Sequence, residues 1–96
     1  MMDGAHVLVV DDEPAVLKFL RSYLTARGYR VTTASDGLEA LEILGSQKVD
    51  LVILDLMLPR LDGVEVCRSV RSWSQVPILV LSARDQEDDK DRKSVV

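Results

Sequence analysis

The fold is decided by the stretch VDLVILDL at residues 49–56. This run is aliphatic and β-branched, and it is interrupted only by Asp50 near its start and Asp55 near its end. Runs of this kind are typical of strands that are buried on both faces, as in a parallel sheet. We therefore predict a central buried strand with an acidic side chain towards either end.

Strand and helix patterns alternate on both sides of this stretch. Apolar or β-branched runs predict further strands at residues 7–10, 29–34 and 77–81. Between the strands, apolar residues recur at helical spacing, and two of the helices are expected to end at Gly28 and Gly45. Short connections between such elements imply right-handed crossovers and a doubly wound α/β fold with a parallel sheet.

The starts of the predicted helices carry their own signals. Asp36 with Glu39, and Asp62 with Glu65, have the spacing of a capping box, in an acidic variant. Pro14 stands where the first turn of a helix tolerates a proline. Together these signals predict one helix after each of the first three strands.

Length and composition restrict the class of protein. The 96 residues allow one domain, and 47% hydrophobic residues are enough to build a core. The net charge of −4 argues against direct binding of nucleic acid through its phosphates. The apolar runs are far shorter than the ~20 residues that span a bilayer, and the chain does not open with a signal segment. We therefore expect a cytoplasmic protein that does not enter the membrane.

Three residues with reactive or bulky side chains receive structural interpretations. The single histidine, His6, and the single cysteine, Cys67, exclude a multi-histidine metal site and a disulfide framework. We expect His6 at the surface and Cys67 as a small buried hydrophobe on a helix. Trp73 is expected to be a partly buried cap on the loop before the fourth strand.

Polar residues stand at the carboxyl ends of three predicted strands. Asp11 and Asp12 end the first strand, Asp55 ends the third and Ser82 ends the fourth. Ligands of open α/β sheets bind outside these ends, and three neighbouring carboxylates repel one another unless a cation lies among them. Oxygen ligands with room for water suit Mg²⁺. Each residue alone could be a helix-start acid or a turn residue, but their coincidence at one edge favours a site.

The predicted site is suited to phosphoryl transfer to a carboxylate. A carboxylate can attack a phosphoryl group and form an acyl phosphate. Asp55 is the best nucleophile, because it lies within an apolar run and is fixed at the edge of the sheet. Asp11 and Asp12 follow their strand on a turn and are therefore the better metal ligands.

Three segments carry a resemblance to a known family. They are VLVVDDEP at residues 7–14, DLVILDLMLPRLDG at 50–63 and PILVLSA at 77–83. In this order they resemble the receiver domain of response regulators from bacterial two-component systems, most closely receivers that precede a winged-helix DNA-binding domain. The resemblance covers residues 5–90, and residues 91–96 form a tail unlike the family. It implies a flavodoxin-like sheet with the strand order 2-1-3-4-5.

The resemblance also implies roles for the residues at the strand ends. Asp55 would accept a phosphoryl group from a sensor histidine kinase, to control an output such as transcription. Mg²⁺ or Mn²⁺ would be held by Asp11, Asp12 and Asp55. The backbone carbonyl of Met57 would be a further metal ligand, and Ser82 would hydrogen-bond the phosphoryl group. On this interpretation the chain is a signalling domain and not an enzyme.

The chain departs from the family near its end. The family's fifth strand, which ends in a lysine, and its fifth helix find no match before Val96. The expected order is therefore 2-1-3-4, with the fifth strand and fifth helix missing. Residues 78–81 would then form an unpaired sheet edge, which predicts a homodimer through edge pairing or exchange of the C-terminal segment. The rival is that residues 94–96 fold back onto this edge.

Other functions stay open at this stage. The runner-up is a truncated receiver fragment that keeps the fold and self-associates but is poorly phosphorylated. A phosphohydrolase of the haloacid-dehalogenase type would need a second aspartate where Met57 stands. A flavodoxin-like cofactor carrier would need a phosphate-binding loop after the first strand, where the acidic residues 11–13 would repel a phosphate.

Overall fold

The structure is a computed structural model, and it describes residues 4–55, 63–81 and 94–95. The elements along the chain are β1 (His6–Val10), α1 (Pro14–Ala26), β2 (Arg30–Ala34), α2 (Gly37–Ser46), β3 (Leu51–Asp55), α3 (Gly63–Arg71), β4 (Ile78–Leu81) and β5 (Ser94–Val95). The predicted alternation of strands and helices is confirmed, and β2, β3 and β4 are slightly shorter than the sequence pattern indicates.

Four strands form a parallel sheet in the order β2-β1-β3-β4. This confirms the predicted α/β class and the order 2-1-3-4. The register aligns the carboxyl ends of the strands, because Val10 is level with both Ala34 and Leu54, and Asp55 is level with Leu81. The chain therefore leaves β1 and β3 at the same side of the sheet, called the carboxyl edge below. The opposite side is the amino edge.

The central strands β1 and β3 are packed on both faces, as the apolar runs predict. Leu8 and Leu54 belong to an apolar cluster with residues of α2 and α3. Val9 and Ile53 belong to a second cluster on the other face, with residues of α1. Full burial of a Val, Leu or Ile side chain contributes about 1.5–3 kcal/mol. These two strands therefore hold the carboxyl edge on a rigid support.

The ends of α1 and the start of α2 follow the sequence signals. Pro14 begins α1, and Gly28 follows its end with φ +94°, a left-handed conformation that glycine adopts without strain. Asp36 caps α2, because its Oδ1 accepts the N–H of Glu39 at 2.9 Å. The Glu39 carboxylate accepts the N–H and the hydroxyl of Ser35, at 3.0 and 3.2 Å, so it fixes the chain just before the cap.

The prediction that α2 ends at Gly45 is wrong, since the helix continues to Ser46. A glycine ends a helix by taking a positive φ, and among the described residues only Gly4 and Gly28 do so. The last turn of α2 instead keeps its hydrogen bonding, with the N–H of Gln47 donating to the carbonyl of Ile43 at 2.9 Å.

Some predicted features lie outside the described residues. These are the Met57 carbonyl, the Asp62 cap, Ser82 and the charged stretch at residues 84–93. Within the part of the chain that is described, no helix is long and apolar enough to cross a bilayer.

The outer edge of β4 has a partner. The short strand β5 pairs with it in antiparallel orientation, with Leu79 opposite Val95 and Val80 opposite Ser94. The expectation of an unpaired β4 edge is therefore wrong at these two positions, and the fold-back alternative describes the structure. The physical reason is that unpaired backbone groups at a sheet edge are satisfied by any extended segment within reach. The homodimer prediction therefore loses its premise.

Candidate functional site

Three carboxylates meet at the carboxyl edge. Asp11 and Asp12 follow β1, Asp55 is the last residue of β3, and each offers an oxygen within 4.8 Å of the others. Asp11 is buried, with 6% of its surface exposed. Asp12 is exposed and Asp55 is half-buried. The convergence of these residues, expected from their places at the strand ends, is present; we call the three residues the acidic cluster.

The backbone holds Asp11 in place. Its N–H donates to the carbonyl of Ala34 at 3.1 Å, which continues the β1–β2 pairing by one residue. Its Oδ1 accepts the N–H of Glu13 at 2.9 Å. The Glu13 carbonyl in turn accepts the N–H groups of Val16 and Leu17, at 3.0 and 3.2 Å, and so begins α1. The hydrogen bonds at the end of β1 and at the start of α1 thus act together to fix the Asp11 carboxylate.

The acidic cluster carries unfavourable electrostatics. Burial is the largest cause that raises the pKa of Asp11, and the negative charges of Asp55, Asp12 and Glu13 raise it further. The hydrogen bond from the Glu13 backbone acts in the opposite direction but does not cancel these effects. A group in this environment is stabilised in its charged form by a nearby cation.

The donor set fits a hard divalent cation. All three groups of the acidic cluster are carboxylates, and oxygen ligands at an open edge, with space for water, are those that Mg²⁺ and Mn²⁺ prefer. The further ligand expected from Met57 and the phosphoryl contact expected from Ser82 lie outside the described residues, so these two assignments stay predictions.

A hydrogen-bond network occupies the amino edge, and it centres on a residue that the sequence analysis misplaced. The prediction that His6 lies at the surface is wrong, because only 4% of it is exposed. Its Nδ1 lies 2.8 Å from the carbonyl of Lys48, and its Nε2 lies 2.7 Å from the Thr32 hydroxyl. A carbonyl only accepts, so Nδ1 donates, and in the neutral ring Nε2 accepts from Thr32. His6 therefore ties β1 to β2 and to the α2–β3 loop.

Asp50 belongs to the same network. Its Oδ2 accepts the backbone N–H of His6 at 2.8 Å, and its own N–H donates to the carbonyl of His6 at 2.8 Å. This reciprocal pair joins the start of β1 to the start of β3. No local signal could have revealed it, because 44 positions separate the two residues in the sequence.

Cys67 lies in the kind of packed position predicted for it, whereas Trp73 is more exposed than predicted. Cys67 is half-buried on α3 and packs against the apolar cluster of that face; burial raises the pKa of its thiol, as befits a packing residue. Trp73 lies on the α3–β4 loop with 51% of its surface exposed. It lines a cavity of about 370 Å³ at the amino edge together with Lys48 and Gln75. This cavity lies at the opposite edge from the acidic cluster. The candidate site is therefore identified by its three carboxylates and not by the size of a cavity.

The fold and the acidic cluster together define a doubly wound α/β domain whose polar site lies at the carboxyl ends of β1 and β3. Residues 7–94 match the family described as the response regulator receiver domain. The chain belongs to this family of response regulator receiver domains.

The curated relatives are longer than the region they share with this chain. The response regulator MprA of Mycobacterium ulcerans is 52% identical over 88 residues, which are 91% of this chain and 38% of the relative. MprA of Mycobacterium avium is 51% identical over 86 residues, which are 88% of this chain and 38% of that protein. The chain thus spans well under half the length of these relatives.

Solved receiver domains share the fold. The receiver domain of the Francisella response regulator 1452 has a TM-score of 0.81 and 32% identity, covering 86% of this chain and 69% of its own. TrrA of Thermotoga maritima, solved in complex with Mg²⁺-BeF, has a TM-score of 0.78 and 40% identity, covering 82% of this chain and 70% of its own.

Proposed function

We propose that this chain is a phosphoacceptor signalling domain in which Asp55 takes a phosphoryl group from the phosphohistidine of a sensor histidine kinase. The observation that carries the proposal is the position of Asp55. It ends the buried central strand β3, within 4.8 Å of two further carboxylates that follow β1. Membership of the receiver family supports the same role.

The first requirement of the reaction is a carboxylate held at a fixed position. An oxygen of Asp55 attacks phosphorus, the bond from phosphorus to the imidazole nitrogen of the donor breaks, and an acyl phosphate remains on Asp55. Because Leu54 is buried and paired with Val10 of β1, the strand holds the nucleophile at a constant position. Such positioning is the main protein contribution to phosphoryl transfer.

The acidic cluster supplies the groups that would hold Mg²⁺ or Mn²⁺, namely the carboxylates of Asp11, Asp12 and Asp55. A bound divalent cation would offset the negative charge of these carboxylates and of the phosphoryl oxygens. The complex of the related TrrA with Mg²⁺-BeF supports this assignment. We also assign the Met57 carbonyl as a further ligand and the Ser82 hydroxyl as a donor to the phosphoryl group, on the resemblance alone.

The relatives support a biological setting for this domain. Mycobacterial response regulators share half of their residues with this chain over the aligned region, which supports a cytoplasmic two-component pathway with transcription as the output. In this role the domain is the substrate of its kinase and not itself an enzyme. A net charge of −4 supports the absence of direct nucleic-acid binding by this chain.

Phosphoramidate tests the proposal, because its P–N bond resembles that of phosphohistidine. The purified chain is incubated with phosphoramidate and Mg²⁺, with EDTA in a parallel sample, and the intact mass is measured. We expect one added phosphoryl group with Mg²⁺ and none with EDTA. Reduction with borohydride and peptide mapping should place the modification on Asp55. A label on another residue contradicts the proposal. A folded protein that stays unlabelled favours the self-associating fragment instead.

A further inference from the structure

β4 is unusually apolar for a strand whose outer edge is only partly paired. One side of β4 pairs with β3 along its whole length, and the other side pairs only through Leu79 and Val80. The four residues of β4, ILVL, include no charged residue and no proline. The nearest proline, Pro77, lies just before the strand. Proteins usually protect an exposed edge with lysine, proline or a bulge within the strand. Here, among the described residues, the protection is β5.

The backbone register shows how β5 covers this edge. The N–H of Val52 donates to the carbonyl of Pro77, so the polar backbone groups of odd-numbered β4 residues face β3. Those of Ile78 and Val80 therefore face outwards, because successive residues of a strand alternate. Val80 and Ser94 then form the hydrogen-bonded pair of the antiparallel ladder, and Leu79 and Val95 form the non-hydrogen-bonded pair.

The contact is small, and its strength comes from being intramolecular. A two-residue ladder supplies few hydrogen bonds, and each adds little net stability in water. Residues 82–93 join β5 to β4 and include five acidic and four basic residues. Because these residues belong to the same chain, the contact of β5 with β4 does not depend on protein concentration, whereas pairing with a second copy does. A second copy at micromolar concentration competes poorly while β5 is in place.

We propose that β5 is a removable plug, and that the β4 edge beneath it is a self-association site for a second copy of this chain. When β5 leaves, the outward backbone groups of Ile78 and Val80 pair with the same groups of another β4 in antiparallel orientation. Antiparallel pairing of one strand with its own copy is a two-fold symmetric contact, which needs no other surface. The pairing of β5 shows that this edge accepts an antiparallel strand.

Charge also favours this arrangement over a parallel one. In an antiparallel pair, the carboxyl edge of one copy lies beside the amino edge of the other. The acidic clusters of the two copies, which lie at the carboxyl edges, are therefore kept apart. Uncharged side chains along β4 add no repulsion of their own. Self-association should consequently be independent of Mg²⁺ and of Asp55.

Substitution of Ser94 tests the plug in the full chain. Ser94→Pro removes the N–H that the register directs at the Val80 carbonyl, whereas the matched control Ser94→Thr keeps it. Sedimentation is measured from low to high micromolar concentration. We expect the parent and the control to stay monomeric, and the proline variant to approach twice the monomer mass as concentration rises. Amide exchange at Val80 should become faster in the dilute proline variant and slow again as it associates.

A disulfide gives the reverse test, in which β5 is locked onto the β4 edge. Leu79→Cys with Val95→Cys, in a Cys67→Ser background, places two thiols in the non-hydrogen-bonded pair, where the Cα atoms are close enough for a bridge. When the two cysteines are combined with Ser94→Pro, the oxidised form should stay monomeric at concentrations where the reduced form associates, because the disulfide holds β5 at the edge. The proposal is overturned by a folded proline variant that stays monomeric throughout, by a parent that is already dimeric, or by an oxidised form that associates like the reduced one.

Discussion

Asp50 and Asp55 lie at opposite ends of the same strand and have different surroundings. Asp50 precedes β3 at the amino edge, where its carboxylate accepts the His6 N–H and its N–H returns a hydrogen bond to the His6 carbonyl. Asp55 ends β3 at the carboxyl edge, where it is one of the three carboxylates of the acidic cluster. In sequence the two residues interrupt one apolar run in the same way. The direction of the strand alone separates the acid that joins two strand starts from the acid that lies in the acidic cluster.

The two edges differ in how their polar groups are satisfied. At the amino edge, both ring nitrogens of His6 have partners on other segments, and such a network adds stability to the fold. At the carboxyl edge, burial and like charges raise the pKa of Asp11, so this edge stores repulsion that a cation can relieve. We therefore expect substitutions at the amino edge to change stability, and substitutions at the carboxyl edge to change the response to metal.

The largest effect on stability is expected at His6. His6→Ala removes a buried side chain and leaves the Lys48 carbonyl and the Thr32 hydroxyl without this partner, so the free energy of unfolding should fall by about 2–4 kcal/mol. Urea denaturation measures it. Lys48→Ala is the matched control, because only the backbone of Lys48 takes part, and it should change stability by less than about 0.5 kcal/mol. If the two substitutions lowered the free energy of unfolding equally, the His6 side chain would not be what stabilises the amino edge.

The next largest effect is the response to Mg²⁺. At a concentration ten times its dissociation constant, a ligand that binds only the folded state adds about 1.4 kcal/mol to the free energy of unfolding. We expect this gain in the parent and in Asp50→Asn, and its loss in Asp12→Asn. Thermal melts with and without Mg²⁺ measure the gain. If Asp12→Asn gained as much as the parent, the metal would lie elsewhere.

A smaller effect concerns the pH dependence without metal. The pKa of Asp11 is raised above its usual 3.8, so the folded state takes up this proton more readily than the unfolded chain. The charged group therefore costs stability at neutral pH, and this cost is relieved as the pH falls through the raised pKa towards 3.8.

Asp11→Asn isolates this contribution, because the amide oxygen can still accept the Glu13 N–H that Asp11 accepts. In EDTA the variant should unfold at higher urea than the parent at pH 7, and the difference should shrink with acidification. A difference that grew towards low pH would show that Asp11 has a lowered pKa instead.

The smallest effect is expected at Gly45, in the last turn of α2. A Cβ built there meets no atom within 4 Å, so Gly45→Ala should raise the free energy of unfolding by about 0.5–1 kcal/mol through helix propensity. Gly28→Ala is the control with the opposite sign, because its φ of +94° strains an alanine. Neither change should alter the gain from Mg²⁺, since both lie away from the acidic cluster. Destabilisation by Gly45→Ala would mean that α2 does end at this residue.

The sequence was sufficient for features that depend on local pattern. The buried run of β3 and the acids after β1 and β3 predicted the strands and the meeting of Asp11, Asp12 and Asp55, because parallel strands release their next residues at one edge. The strand order came from the family resemblance. The neighbours of His6 were beyond reach, since Lys48 and Thr32 lie 42 and 26 positions away. The pairing of β5 was only one of two alternatives, because two residues carry no periodic signal.

The central claim is that position on β3 makes Asp55, and not Asp50, the phosphoacceptor. The direct test is the intact mass of the parent, Asp50→Asn and Asp55→Asn after incubation with acetyl phosphate and Mg²⁺. We predict one added phosphoryl group on the parent and on Asp50→Asn, and none on Asp55→Asn. The same added mass on Asp55→Asn, or a folded parent that binds Mg²⁺ and gains no phosphoryl group, would contradict the claim.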